Sequence, residues 1–543
     1  MSNVTNLEAT TVRNIGKNTF IPKPFEHIYT CNNGDLIPAF ATIQVQPGDT
    51  WKITTSIMAR LNTSRYPTIS RGWIVYNWFY VPHSQIWDNW DALMGENKES
   101  AWVTQAAYSV PKINIPQGTT IQNGSLLDHF GWPTGQGNFK ASALKVRAYS
   151  WICNEFYRNQ NIEAPYAPDT GDAEITYTEN GDWTVGGKPN QILRNADYFS
   201  TALPEPQKGP DVLLPLGTTA PVITGSEHDT NGAGSLKMRY TSNGGLPTGT
   251  TNLSIANNGN VVADQGQSGN VIQSLYPSNL HADLKSAIGA ELSIVRDAFV
   301  TKHIYETDAR AGTRAAEMLW SRYGVEIDPL ELGRPVLLTG GKFDMSTNQV
   351  PQTAPTEGAP TGTLTAFGYT NNRSEQETFS FKQHGTLMCL VATAFEHKYQ
   401  NGIPREDMKF DRFDFWHPEF AGLGDQPIYD YEIYATGGEN GTIATESIFG
   451  YAVRGAEYQN YPSIISGQVR SNYAQSMDYV HMADEYTSKP TLSTDWMKEN
   501  PNNLDRTIYV SSDVTNQFVI DFVAEFEITT CMPLYSIPGI DRL

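Results

Sequence analysis

The sequence predicts a mainly β chain whose strands pack as two sheets, and three observations carry that expectation. Glycine, proline and aromatic residues are abundant while charged residues make up only 18% of the chain, a balance that suits many short strands joined by turns better than a helical bundle. Apolar and polar residues alternate with a period of two near both ends of the chain. Strands so far apart in sequence must pair with each other, which Greek-key and jelly-roll topologies demand.

The elements follow in order. Ile43 and Val45 alternate with polar neighbours up to Pro47-Gly48-Asp49, and Trp51, Ile53, Thr55, Ile57 and Ala59 resume the period, so a strand, a tight turn and a second strand are expected. The run from Trp73 to Val81 is aromatic and β-branched on both faces, as in a strand covered on both sides. Ile86 to Met94 reads as a short helix with Trp87 and Trp90 on one face, and Ala148 to Arg158 as a second packed helix. Prolines 204, 206 and 210 make Leu203 to Pro210 an extended connector, because each removes a backbone donor.

From about Gly217 to Pro277, Thr, Asn, Ser, Gly and Gln dominate, and the stretch reads as a surface insertion whose few strand-like pieces form a small β knob if neighbouring copies supply its core. Leu284, Ile288, Leu292, Val295 and Phe299 then mark an amphipathic helix, with a continuation through Trp320 to a stop at Gly324. Beyond Pro335 the strands return, strongest at Thr378 to Lys382, Leu387 to Phe395 and Phe518 to Ile528.

Function classes narrow by exclusion. With 38 basic against 58 acidic residues, a formal −20, the long-range field opposes non-specific binding to phosphate backbones. A shell around nucleic acid is still permitted if the inner face is locally less acidic or a basic partner neutralises the genome. Cys31, Cys153, Cys389 and Cys531 show no zinc spacing and read as reduced, mostly buried side chains. Neither a signal peptide nor a membrane-spanning run is expected. Gly340-Gly341-Lys342 lacks the glycine spacing and the Ser or Thr of a phosphate loop. The ten histidines are scattered singly and read as surface or satisfied core residues. Asp411 and Asp414 would serve a glycosidase only if acid and base converged in space. Arg412 to Pro418 mixes aromatic and basic residues, either to stack on bases or sugars or as a packed strand ending at proline. A carbohydrate-binding or glycoside-hydrolysing β-sandwich is therefore the rival reading.

Specific strings decide between them. Gly34-Asp35-Leu36-Ile37-Pro38, Gln46-Pro47-Gly48-Asp49-Thr50, Phe79-Tyr80-Val81-Pro82, Trp151 through Gln160, Pro206-Gln207-Lys208-Gly209-Pro210, Asp308-Ala309-Arg310-Ala311-Gly312-Thr313-Arg314 and Met532-Pro533-Leu534-Tyr535 occur in an order that resembles gokushovirus-type major capsid proteins of the Microviridae over nearly the whole chain. The polar stretch near 218 to 280 and the loop around 164 to 200 carry no such strings.

The resemblance implies a viral jelly roll, an eight-stranded antiparallel β-sandwich with long loop insertions and a few helices, that assembles into an icosahedral shell around circular single-stranded DNA and catalyses nothing. It implies residues 1–216 as N-terminal arm, first strands and connecting loops, 217–280 as a three-fold protrusion that meets the host, and 281–543 as helix, remaining strands and C-terminal segment. Within the insertion Lys237, Arg239, Tyr240 and Asn243 are the expected host contacts, against the alternative that they pack the knob on its copies. Arg13, Lys17 and Lys23 are the expected DNA contacts of an inward-facing arm, against that of a solvated terminus. The implied partners are further copies of the chain, the enclosed DNA, a small basic DNA-packaging protein, a pilot protein, an internal scaffolding protein and a host receptor. No cofactor is expected, and structural calcium is an option that only disassembly by chelators would establish. The implied location is the virion, assembled in the bacterial cytoplasm.

Overall fold

A computed structural model of the chain describes residues 16–97, 106–212, 222–224, 238–240, 252–255, 261–264, 273–277, 280–282, 292–312, 314–354, 361–362, 364–438, 443 and 447–533. It divides into two compact units, one formed by Met1–Pro206 with Asp308–Leu543 and the other by Gln207–Thr307.

The first unit is built on eight strands in chain order: β1 (Phe25–Cys31), β2 (Ile37–Val45), β3 (Thr50–Leu61), β4 (Gly72–Pro82), β5 (Val336–Asp344), β6 in two segments (Leu364–Arg373 and Glu377–Ser380), β7 (Gly385–Phe395) and β8 (Phe518–Thr530). One sheet runs β1-β8-β3-β6 and the other β5-β4-β7-β2, with every neighbouring pair antiparallel. First beside eighth beside third, and second beside seventh beside fourth, is jelly-roll order. Short strands at Asn18–Phe20 and Thr347–Pro351 extend the first sheet on β8 and β6.

The expected strand, turn and strand around Pro47-Gly48-Asp49 are present, but they do not form a hairpin. β2 pairs with β7 and β3 with β8 and β6, so the turn carries the chain from one sheet to the other. Gly48 adopts φ +87°, a conformation that glycine reaches without Cβ strain.

Period-two alternation places Trp51, Ile53, Ile57 and Ala59 of β3 and Phe518, Ile520, Phe522, Ala524, Phe526 and Ile528 of β8 in one core with Ile74, Tyr76 and Trp78 of β4. The other side of β4 also faces protein. Phe79 and Val81 join Met388 and Leu390 of β7 in a second core, covered by helix α1 (Leu144–Phe156). A third core, around Phe199, Tyr399, Ile428, Phe449 and Trp496, organises the long excursion between β7 and β8.

Two helical expectations change. Ile86 to Met94 is not one helix but two single turns, His83–Ile86 and Trp90–Leu93, with Trp87 and Trp90 both buried. The long helix is broken into α2 (Leu292–Ala311) and α3 (Ala315–Tyr323) at Gly312, whose φ of +93° ends the first. Gly324 caps α3 as expected, with φ +66°. Leu284 and Ile288 lie outside the described residues.

Trp78 is fully buried between the sheets and donates from Nε1 to Thr55 Oγ1 at 2.9 Å. Trp78→Ala is expected to destabilise the soluble subunit by about 3–5 kcal/mol, whereas Val519→Ala, on the exposed side of β8, stays within about 0.5 kcal/mol. Denaturant unfolding checks both.

Candidate assembly surfaces

In the Gln207–Thr307 unit, a four-stranded antiparallel sheet joins Met238–Tyr240, Gln273–Pro277, Val261–Asp264 and Asn252–Ile255 in that order, and Val222–Thr224 pairs with Leu280–Ala282. Among the described residues its own core is small, Leu275 with Met238 packed against it. An isolated sheet of this kind needs a larger apolar face than that for stability. Arg239 is half-buried opposite Tyr276, and Tyr240 ends the same strand, opposite Leu275. Lys237 and Asn243 lie outside the described residues.

The apolar stripe of the amphipathic helix predicts a packed face. Instead Leu292 and Phe299 are each 66% exposed, and Val300 and Ile304 beside them are exposed as well. Sequence periodicity identifies the stripe but not what covers it.

Of the three basic residues assigned to the arm, Arg13 lies outside the described residues. Lys17 and Lys23 are both exposed and flank the strand Asn18–Phe20 on the edge of the β1-containing sheet. Lys17 Nζ donates to the carbonyl of Gly48 at 2.6 Å, so its ammonium is partly engaged with the turn between β2 and β3.

The other chemical candidates resolve into structure. Gly340 and Gly341 lie in β5, where a Cβ on Gly340 would meet Asn77 Oδ1 at 2.0 Å and one on Gly341 the ring of Tyr76 at 2.9 Å. They are glycines for close strand packing, not for phosphate. His83 and His129 are held neutral, both lowered to about 4 chiefly by burial. His27 Nδ1 pairs with the Ala39 carbonyl and His481 Nε2 with that of Val469. His129 and His27 line an open polar cleft of about 1070 Å³ with Asp35, Asp128, Lys188 and Trp183. Cys31, Cys153 and Cys389 are buried and Cys531 is exposed, all four as free thiols.

Asp411 and Asp414 do not form an acid and base pair. Asp414 accepts from the backbone N–H groups of Phe410 and Asp411 at 2.9 and 2.7 Å, bonds that hold its carboxyl below the ordinary range. The segment Arg412 to Pro418 is not a packed strand either. It forms two 3₁₀ turns, Arg412–Asp414 and Pro418–Gly422, with its aromatic rings in solvent.

A buried ionic cluster has no counterpart in the sequence patterns. His397 follows β7, and its Nδ1 lies 2.8 Å from Asp484 Oδ2 while Nε2 lies 3.2 Å from Glu499 Oε1. Arg194 donates to the same Asp484 oxygen at 2.9 Å, Asn503 to the other at 2.7 Å, and the Arg194 guanidinium sits 4.7 Å from the Trp496 ring centre. Carboxylates on both ring nitrogens require a doubly protonated imidazole. Burial alone would lower its pKa, but the charge of Asp484 and the bonds from Asp484 and Glu499 outweigh it and raise it to about 9. Burial would raise Asp484, and the charges of Arg194 and His397 overcome this to lower it to about 2. These residues come from segments up to about 300 positions apart, which no local spacing signals. Their arrangement clamps loops together.

Comparison with known proteins agrees with a structural role. The family model described as "Capsid protein (F protein)" matches residues 14–540. The chain is 33% identical over 533 residues to the capsid protein VP1 of Spiroplasma virus 4, covering 96% of this chain and 95% of that protein. It is 34% identical over 512 residues to capsid protein VP1 of Bdellovibrio phage phiMH2K, covering 93% and 92%, and 30% identical over 563 residues to that of Chlamydia phage 1, covering 94% and 93%. The rival sugar-binding reading finds no support in these matches.

The clamp generates a pH prediction. The His397 imidazole titrates at about 9 against 6.5 for the ordinary side chain, so its contribution is complete below 6.5 and is lost as pH rises through 9. Asp484, at about 2 against 3.8, contributes above 3.8 and loses its contribution as pH falls through 2. Replacing one partner of a buried ion pair costs about 3–5 kcal/mol. His397→Gln is expected to lose about that much at pH 6 and to unfold with a midpoint that changes less between pH 7 and 10 than the parent's.

Proposed function

Because this chain belongs to the phage F capsid protein family, in its gokushovirus branch, and is a structural major capsid protein, we propose that its copies close into a small icosahedral shell around a circular single-stranded DNA genome. The observation that carries this reading is the match to three capsid proteins over more than nine-tenths of this chain and of each relative. The jelly roll supplies a rigid wall, and the exposed loops and the insertion supply lateral contacts. Under closed symmetry one set of patches serves every subunit, so individually modest contacts suffice when each copy has several neighbours.

The Gln207–Thr307 unit is the protrusion in this reading. Its small core and the exposed stripe of α2 support a role in which copies gather and cover one another, leaving Lys237, Arg239, Tyr240 and Asn243 for the host surface. Lys17 and Lys23 touch DNA phosphates, with a small basic packaging protein providing most of the neutralisation that an acidic chain of formal charge −20 cannot. A pilot protein and an internal scaffolding protein complete the assembly in the host cytoplasm, and the role is structural rather than catalytic.

Negative-stain electron microscopy of the recombinant protein, alone and with its phage's accessory proteins, is expected to show uniform small isometric shells. A dispersed monomer under all these conditions would overturn the proposal. A chelator tests for structural calcium: disassembly of the shells on its addition would establish a bound ion, and intact shells would remove that option. Replacing Lys17 and Lys23 by Gln is expected to reduce the salt dependence of single-stranded DNA binding by roughly 0.7 in log–log slope for each phosphate no longer neutralised.

A further inference from the structure

Between β7 and β8 the chain presents a dense aromatic surface that the jelly roll does not use. Phe410, Phe413, Phe415, Trp416, Tyr458 and Tyr461 are between 41% and 77% exposed. Phe415, Trp416 and Tyr458 meet around Lys409. Lys409 lies 5.9 Å from the Phe415 ring centre and 4.1 Å from that of Tyr458, and Tyr458 Oη accepts from the Trp416 backbone N–H at 3.3 Å. Turns rather than regular strands hold these rings outward, pinned by the backbone bonds to Asp414 and by the Lys409–Glu457 ion pair at 3.2 Å.

Beside the patch lies a cavity of about 260 Å³, lined mainly by Tyr198, Phe199, Tyr399, Pro404, Tyr461 and Ile464. Three of its four charged side chains are engaged within the chain, while the fourth, Glu406, is exposed. Arg405 pairs with Glu432 at 3.3 Å, Tyr198 Oη donates to Glu432 at 2.8 Å, and Glu457 is held by Lys409. A cavity lined mainly by aromatic and aliphatic side chains, with one exposed carboxylate, favours an uncharged ring over an anionic ligand.

We propose that this surface is a self-complementary docking site for a second copy of the chain, in which the aromatic turn of residues 410–415 of each copy enters the cavity of the other. The inference rests on the capsid reading and adds the surface that mediates one of its contacts. Three features select a second copy. Protruding rings and a cavity sit side by side on one surface, the arrangement that an isologous two-fold contact requires. With aromatic side chains offering about 150–250 Å² each, the six exposed rings present roughly 700 Å², close to the about 800 Å² per partner of a standard interface. Aromatic anchors filling apolar pockets are also where binding energy concentrates.

The test uses the full chain in two arms. Phe410→Asp with Phe413→Asp alters only exposed rings, so circular dichroism and the unfolding midpoint are expected to stay unchanged while the yield of shells falls at least tenfold. In the second arm Cys531→Ser removes the exposed native thiol, and Phe410→Cys and Ile464→Cys are made in separate chains. Mixing the two and oxidising is expected to give a disulfide-linked pair containing one of each, abundant relative to either chain alone. Normal shell yield from the aspartate variant, or no mixed pair, overturns the proposal and leaves the capsid reading standing. Aspartate-variant shells that form normally but lose infectivity or an accessory protein overturn it too, and assign the patch to that other partner. Failure of the unsubstituted protein to assemble at all removes the reading on which the proposal rests.

Discussion

The constraint on which the rest of the structure depends is that the central strands β4 and β7 of the sheet β5-β4-β7-β2 must be covered on both faces. β7 is buried along its entire length from Gly385 to Phe395, and β4 alternates between two cores. Removing a strand of this kind from water on one side only would leave a row of large apolar side chains exposed. The partner sheet covers one side, and the segment from Pro82 through α1 covers the other. The chain order of the jelly roll is the route that brings both covers into place.

The long excursions follow from that arrangement. A frame fixed by two cores tolerates loops because long loops add little closure entropy per residue. These loops are not loosely attached. The Arg194, His397, Asp484 and Glu499 cluster ties the segments before and after β7 together, and Glu155 of α1 receives Arg314 and Arg334 at 3.7 and 2.8 Å. Buried charges of this sort add less net stability than packing but penalise wrong arrangements heavily. Precise placement matters most in a shell subunit, whose contact surfaces must recur identically in every copy.

Much of the frame is legible in the sequence. The alternation at Phe518 to Ile528 and at Trp51 to Ala59, and the two-sided apolar run at Trp73 to Val81, identify strands because side-chain direction in a strand has period two. Where sequence and structure part, a local pattern has more than one solution. Trp87 and Trp90 are three apart whether they share one helix or cap two short turns. Leu292 and Phe299 share a helical face whether that face is packed or exposed. The aromatic string at 412 to 418 has the composition of a core strand and yet points into solvent.

The sequence by itself determined the fold class, most of the strands and turns and, through ordered strings along the chain, the family. Those properties are local or cumulative, so period and composition record them. Only the tertiary structure decided that the turn at Gly48 joins opposite sheets, that His397 meets Asp484 and Glu499, and that an aromatic patch and an apolar cavity lie side by side. Each of these depends on residues brought together from distant segments, and such convergence is set by packing energy rather than by any spacing along the chain.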